Sequence, residues 1–165
     1  MITSLGSGVE ETWRALLAGK SGVRPIQRFK HDDQAVHFGA EVLDFDPAKW
    51  MDLGEAKRMA RFSLFGVACA RMAMDDSKLP ITDDNRHRVG CIVGTGIGGL
   101  DEIEAQLQRM FEKGPRKISP FFIPKLMANA ASGQIAIQYG LRGPNFAIVS
   151  ACTSAANAIA TATRM

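Results

Sequence analysis

The run Val89-Gly90-Cys91-Ile92-Val93, followed at once by Gly94-Thr95-Gly96-Ile97-Gly98-Gly99, constrains this chain more than any other stretch. A short, unbroken apolar run is what a strand buried on both faces requires. Glycines directly after it let the backbone turn sharply and approach its neighbours closely. Residues 100–113 then carry a helical pattern. Strand, tight turn and helix in that order predict an α/β fold whose buried strands are parallel or mixed.

The rest of the chain repeats the alternation. Residues 9–18 read as a helix with Glu10 and Glu11 in its opening turn, and residues 36–43 alternate like a half-buried strand. A helix is predicted over 55–75, where Gly66, Ala68, Ala70 and Ala73 suit close packing. Residues 76–88 form a polar turn region, and 115–124 are too rich in proline for regular structure. A helix over 125–139, a turn at 140–144 and a strand over 146–151 lead to Cys152 and an alanine-rich helix.

Composition narrows the class. The 165 residues, 46% apolar and 22% charged, suit one soluble globular domain. No stretch approaches the roughly 18 apolar residues of a membrane span, and no signal segment opens the chain, so the expected setting is cytoplasm or an organelle matrix. The three cysteines are an odd, scattered set, which points to reduced thiols. No pair has metal-ligand spacing, so neither a metal nor another cofactor is expected. A net charge of +3 gives no global field for nucleic acid.

Chemistry concentrates at Val149-Ser150-Ala151-Cys152-Thr153-Ser154-Ala155-Ala156, a strand, a sharp turn and a helix start with a thiol at the turn. Thiolate is the nucleophilic form of cysteine, and a helix N-terminus carries about half a positive charge that favours an anion. First-turn N–H groups there are free to meet an oxyanion. The small-residue helix behind the turn is expected to sit deep, keeping water from a thioester. Context alone leaves Cys152 evenly divided between nucleophile and buried structural thiol, whereas Cys69 and Cys91 read as inert core residues.

Ala151-Cys152-Thr153-Ser154 resembles the active-site motif of the β-ketoacyl-[acyl-carrier-protein] synthases. Three further segments resemble the same family in the same order: Gly94 to Gly99, Pro115-Arg116-Lys117-Ile118-Ser119-Pro120-Phe121-Phe122-Ile123-Pro124, and Tyr139-Gly140-Leu141-Arg142-Gly143-Pro144. The likeness covers essentially the whole chain and is strongest to the type II elongating enzymes. It implies a thiolase-like fold, with residues 1–165 forming the N-terminal half of a five-layered αβαβα architecture. It also implies that Cys152 accepts an acyl chain from acyl carrier protein and that malonyl-carrier is then decarboxylated and condensed with it. By the same resemblance Ile97 gates the acyl tunnel and Phe122 lies at a homodimer interface. Lys57, Arg58 and Arg61 on one helix, with Arg116 and Lys117 in the proline-flanked loop, would dock the acidic carrier protein.

Family members also use two histidines, a lysine and a phenylalanine from a C-terminal half. His31, His37 and His87 all precede Cys152 and match none of those positions. The chain is therefore expected to be truncated at both ends, to lack that half, and not to condense alone.

Three rival readings remain. Gly94, Gly96 and Gly99 fit the dinucleotide-binding fingerprint after a buried strand, although Asp101, Glu102 and Glu104 crowd the helix start that a pyrophosphate would need. A ketosynthase domain of a polyketide or type I synthase fits the same motifs. A silent partner subunit would typically lack the cysteine.

Overall fold

The computed structural model describes residues 1–165 and orders the elements as α1 (Val9–Leu17), β1 (Arg24–Pro25), β2 (Phe38–Gly39), α2 (Leu53–Ala56), α3 (Arg61–Ser77), β3 (Cys91–Gly94), α4 (Leu100–Lys113), α5 (Phe122–Leu126), α6 (Ala130–Tyr139), β4 (Asn145–Ile148) and α7 (Ser154–Arg164). Single 3-10 turns lie at Pro47–Lys49, Pro115–Lys117 and Ala151–Thr153. The chain divides into two compact units, Met1–Asp46 and Pro47–Met165.

In the first unit β1 and β2 pair antiparallel, Arg24 opposite Gly39. The strand predicted over 36–43 shrinks to two residues. The Glu41 carboxylate accepts from the N–H of Gln27 at 2.7 Å and of Arg28 at 3.3 Å, donors that a longer ladder would have used. Helix α1 starts after a similar device, with the Ser7 N–H donating to the Glu11 carboxylate at 2.9 Å.

The second unit is built on β3 and β4, which pair in parallel with Cys91 opposite Asn145 and Gly94 opposite Ile148. Parallel neighbours need a crossover, and the chain supplies one through α4, α5 and α6. Helices α6 and α7 each pack on the strand pair, and α3 packs on α6. Gly66 makes that last contact close: a Cβ there would lie 3.2 Å from the Ala131 methyl. Met59, Val67 and Ile135 form the buried core, with Leu64, Cys91, Val93, Tyr139 and Leu141 around it.

The helices of the second unit depart from expectation in three places. The helix predicted over 55–75 breaks into α2 and α3. Asp52 caps α2 by accepting from Gly54 N–H at 2.7 Å and Glu55 N–H at 3.0 Å, and Ala60 then turns extended. Met59 and Ala60, at the break, are both buried in the core. The proline-rich stretch is not irregular throughout: it contains α5, with Pro124 in the first turn, where a missing N–H loses no helical bond. The helix predicted over 125–139 is split at Met127, whose ψ of 135° separates α5 from α6.

The strand predicted to reach residue 151 ends at Ile148. Neither strand is fully covered, and along α7 only Ser154 and Ala158 are buried, while Ile159 is 69% exposed. The deep helix expected from its alanines is thus a surface helix in this chain. It touches the strand pair along one stripe and solvent elsewhere.

Candidate active site

The two parallel strands end side by side, so the loop after β3 and the turn after β4 leave the same edge of the sheet. The Thr95 N–H donates to the Ile148 carbonyl at 3.1 Å, extending the ladder one step beyond the strands. A Cβ on Gly94 would collide with the Ser154 carbonyl oxygen, so glycine is what lets α7 begin directly against the end of β3.

The turn that carries Cys152 is held by hydroxyls. Ser154 Oγ accepts from the Ser150 N–H at 2.9 Å and sits 2.7 Å from the Ala151 carbonyl and 3.0 Å from the Thr95 carbonyl, to either of which it can donate. Thr153 Oγ1 donates to the Ser150 carbonyl at 2.7 Å, and Asn157 Nδ2 donates to Ser150 Oγ at 2.7 Å. Closed this tightly, the turn places Ala151 at φ 50°, a region that a residue with a Cβ occupies only at a cost. Cys152 follows that strained residue and is exposed. The sheltered thiol expected from the sequence is not what this chain presents. The other two thiols are half-buried, and burial pushes the Cys91 thiol up from its ordinary value.

Ile97 lies at the crest of the adjoining loop, 61% exposed. The loop is fixed on both sides of it. Thr95 ties to Ile148 and Ser154, Gly98 N–H donates to Thr95 Oγ1 at 3.1 Å, and Gly99 N–H donates to the Leu126 carbonyl at 3.0 Å. Gly98 has φ 88°, and a Cβ there would come within 2.6 Å of the Leu126 carbonyl oxygen, so both backbone angle and space demand glycine. The loop thereby reaches α5, whose first residue is the half-buried Phe122. Cys152, Ile97 and Phe122 therefore sit on three segments joined in series.

This arrangement leaves little for a dinucleotide. The Gly98 and Gly99 amides that would cradle a pyrophosphate already have partners within the chain, and Glu102 in the first turn of α4 forms an ion pair with Lys125.

The basic residues are distributed differently from expectation. Lys57 caps the end of α2 and Arg61 begins α3, so they do not share one helix face, because the chain breaks between them. Arg58 lies 5.3 Å over the Phe121 ring and Arg61 4.8 Å over Phe65. Since Phe121 lies four residues beyond Lys117, the Arg58 contact joins the first cluster to the segment carrying Arg116 and Lys117, both exposed. Of the histidines, the His31 and His37 rings lie against each other in the first unit, tilted by 55° with centroids 5.2 Å apart.

The pattern did not single out Ser150, Ser154, Thr95 or Asn157. A serine two residues to either side of the candidate thiol was the available signal.

Residues 1–165 match the family described as Beta-ketoacyl synthase, N-terminal domain. This chain belongs to the β-ketoacyl synthase family. A 3-oxoacyl-[acyl-carrier-protein] synthase 2 of Coxiella burnetii is 47% identical over 165 residues, covering 100% of this chain and 40% of the relative. Among solved structures, the ishigamide ketosynthase/chain length factor aligns with TM-score 0.77 and 30% identity over 98% of this chain and 42% of its own. A ketosynthase in complex with its type II polyketide acyl-carrier protein and bound to the hexaketide aligns with TM-score 0.69 and 26% identity, over 74% of this chain and 35% of its own. This β-ketoacyl synthase chain thus spans about 40% of the length of the curated relatives it matches, and the mixed α/β arrangement of its second unit is that of the ketosynthase N-terminal region. None of its helices is long and apolar enough to cross a membrane.

Proposed function

We propose that this chain supplies the acyl-accepting part of a 3-oxoacyl-[acyl-carrier-protein] synthase of fatty-acid elongation, with Cys152 as the nucleophile. The observation that carries this reading is the exposed thiol on a strained, hydroxyl-braced turn beside the glycine loop at the shared end of two parallel strands. In the first step Cys152 Sγ attacks the thioester carbonyl of an acyl carrier, the acyl–carrier bond breaks, and the carrier thiol leaves with the proton. In the second step a malonyl-carrier loses carbon dioxide, and the resulting carbanion attacks the Cys152 thioester. That expels the Cys152 thiolate, which takes up a proton from solvent, and releases a 3-oxoacyl chain longer by two carbons on the carrier.

By the resemblance, the groups that drive decarboxylation belong to a C-terminal half of the enzyme. The chain alone is inferred not to condense. Ile97 lines the acyl path, and Phe122 meets a second copy in a homodimer. Lys57, Arg58, Arg61, Arg116 and Lys117 attract the acidic carrier, with Arg58 held in place by Phe121. One structural neighbour is a ketosynthase in complex with its acyl-carrier protein. The elongation synthase of Coxiella burnetii is 47% identical to this chain and the type II polyketide ketosynthase 26%, which supports fatty-acid over polyketide chemistry. Three unpaired thiols suit a reducing compartment such as the cytoplasm.

The test is peptide mass spectrometry after incubation with palmitoyl-acyl carrier protein. The expected adduct is on the Cys152 peptide and on neither the Cys69 nor the Cys91 peptide. Iodoacetamide labelling should follow the same order. Because burial pushes the Cys91 thiol up from its ordinary value, its labelling should climb only at more alkaline pH than that of an unperturbed thiol. An acyl adduct on Cys69 or Cys91 with Cys152 unmodified would overturn the assignment.

A further inference from the structure

Glu102 in the first turn of α4 and Lys125 in α5 meet at 2.8 Å between Oε1 and Nζ, with side chains only 15% and 17% exposed. They are the closest ion pair in the chain that is also largely removed from water, and they lie 23 residues apart. Replacing such a pair by well-packed apolar residues is commonly neutral or stabilising, so its presence is weak support for a role in stability alone. What a charge pair does supply is register, since the carboxylate and ammonium meet in one relative placement of their two segments.

Those two segments are the ones that flank Ile97 and carry Phe122. Glu102 N–H donates to the Gly99 carbonyl at 3.1 Å, so the carboxylate is anchored at the very end of the glycine loop. On the other side, Gly99 lies against the backbone of Lys125 and Leu126: a Cβ there would come within 2.7 Å of the Lys125 carbonyl oxygen. The Gly99–Leu126 hydrogen bond and the Glu102–Lys125 pair thus clamp the same junction, one through the main chain and one through side chains. Glycines at 98 and 99 leave the α5 side of this loop with no side chain of its own, so its only internal side-chain brace is Thr95 Oγ1 accepting from the Gly98 N–H.

We propose that Glu102 and Lys125 are positioning residues that latch the Ile97 loop onto α5, and that by fixing Ile97 they set which acyl lengths Cys152 accepts. This rests on the reading of Cys152 as the acyl acceptor, and the test separates the two.

Three variants of the full protein decide it. In the apolar double variant Glu102→Leu with Lys125→Met, the fold is retained without the charge pair. The exchange of charges, Glu102→Lys with Lys125→Glu, restores a pair, and Lys125→Met alone leaves the carboxylate unmatched. Rates of Cys152 acylation by octanoyl- and palmitoyl-acyl carrier protein are measured for each, along with amide hydrogen exchange at residues 97–99. The double apolar variant should keep wild-type melting behaviour, shift the palmitoyl-to-octanoyl rate ratio by about tenfold, and speed Gly99 exchange by about tenfold. The charge exchange should return both quantities towards wild type. Gly99 exchange that is unchanged in the apolar double variant overturns the latch. Faster exchange with an unchanged rate ratio overturns its role in length selection. If wild-type Cys152 takes up neither acyl group, the functional reading fails, and the exchange measurement alone decides whether the latch exists.

Discussion

Two turns leave the same end of one parallel strand pair, and they are stiffened by opposite means. After β3 the chain uses glycine: Gly94 admits the start of α7, Gly98 adopts a positive φ, and Gly99 lies flush on α5. After β4 it uses hydroxyls: Ser150, Thr153 and Ser154 brace a turn in which Ala151, a residue with a Cβ, is held at positive φ. The glycine loop has no non-glycine residue at positive φ, and its Thr95, Gly98 and Gly99 amides are engaged with the protein. The hydroxyl turn is strained, and it presents a thiol. Rigidity alone does not mark a reactive site. The difference is that strain at Ala151 is maintained by neighbours that fix Cys152 from both sides, as expected where a geometry is held for chemistry rather than for packing.

The comparison can be broken hardest at Gly94, the point where the two turns touch. Gly94→Val should drive α7 off the sheet end, lowering stability by about 3 kcal/mol in chemical denaturation. Cys152 acylation should fall with it, and a variant that keeps both would show that α7 does not need the glycine. Ser154→Ala is the next largest. It leaves the Ser150 N–H without its acceptor and removes the link to Thr95, so about 2 kcal/mol should be lost. Acylation should slow even under conditions where the variant remains folded. Wild-type acylation of the folded variant would mean that the hydroxyl brace serves the fold and not the thiol. The smallest effect sharpens the contrast. Ala151→Gly relieves a left-handed residue at the expense of a freer unfolded chain, for a net gain below about 1 kcal/mol. Its acylation rate should nonetheless drop several-fold as Cys152 loses its fixed direction. A loss of stability instead would show that the turn carries no strain.

Much of this was legible in the residues. The apolar run at 89–93 announced β3, the glycines announced the turn, and the regular pattern over 100–113 gave α4 at the expected bounds. Small residues at Gly66 and Ala70 foretold the close α3–α6 contact. The errors came where a local pattern met a non-local demand. Helical periodicity over 55–75 gave no sign that Asp52 would cap a short α2 or that Ala60 would turn extended before α3, and alternation over 36–43 could not show that Glu41 would take the ladder's donors. The basic clusters were each visible, but not that Arg58 would reach Phe121 and join them.

What the sequence determined by itself was the β3–turn–α4 unit, the location of the candidate thiol at a strand-to-helix turn, and membership of a family through four ordered motifs. These depend on nearest neighbours along the chain: side-chain period, turn chemistry and short motifs. Only the tertiary structure decided that the turns bearing Ile97 and Cys152 abut, that Ser154 bridges them across 59 residues, and that Glu102 finds Lys125. Those contacts arise from parallel pairing of β3 with β4. A parallel pair brings together residues separated by a whole crossover, and no local pattern encodes which side chains will meet there.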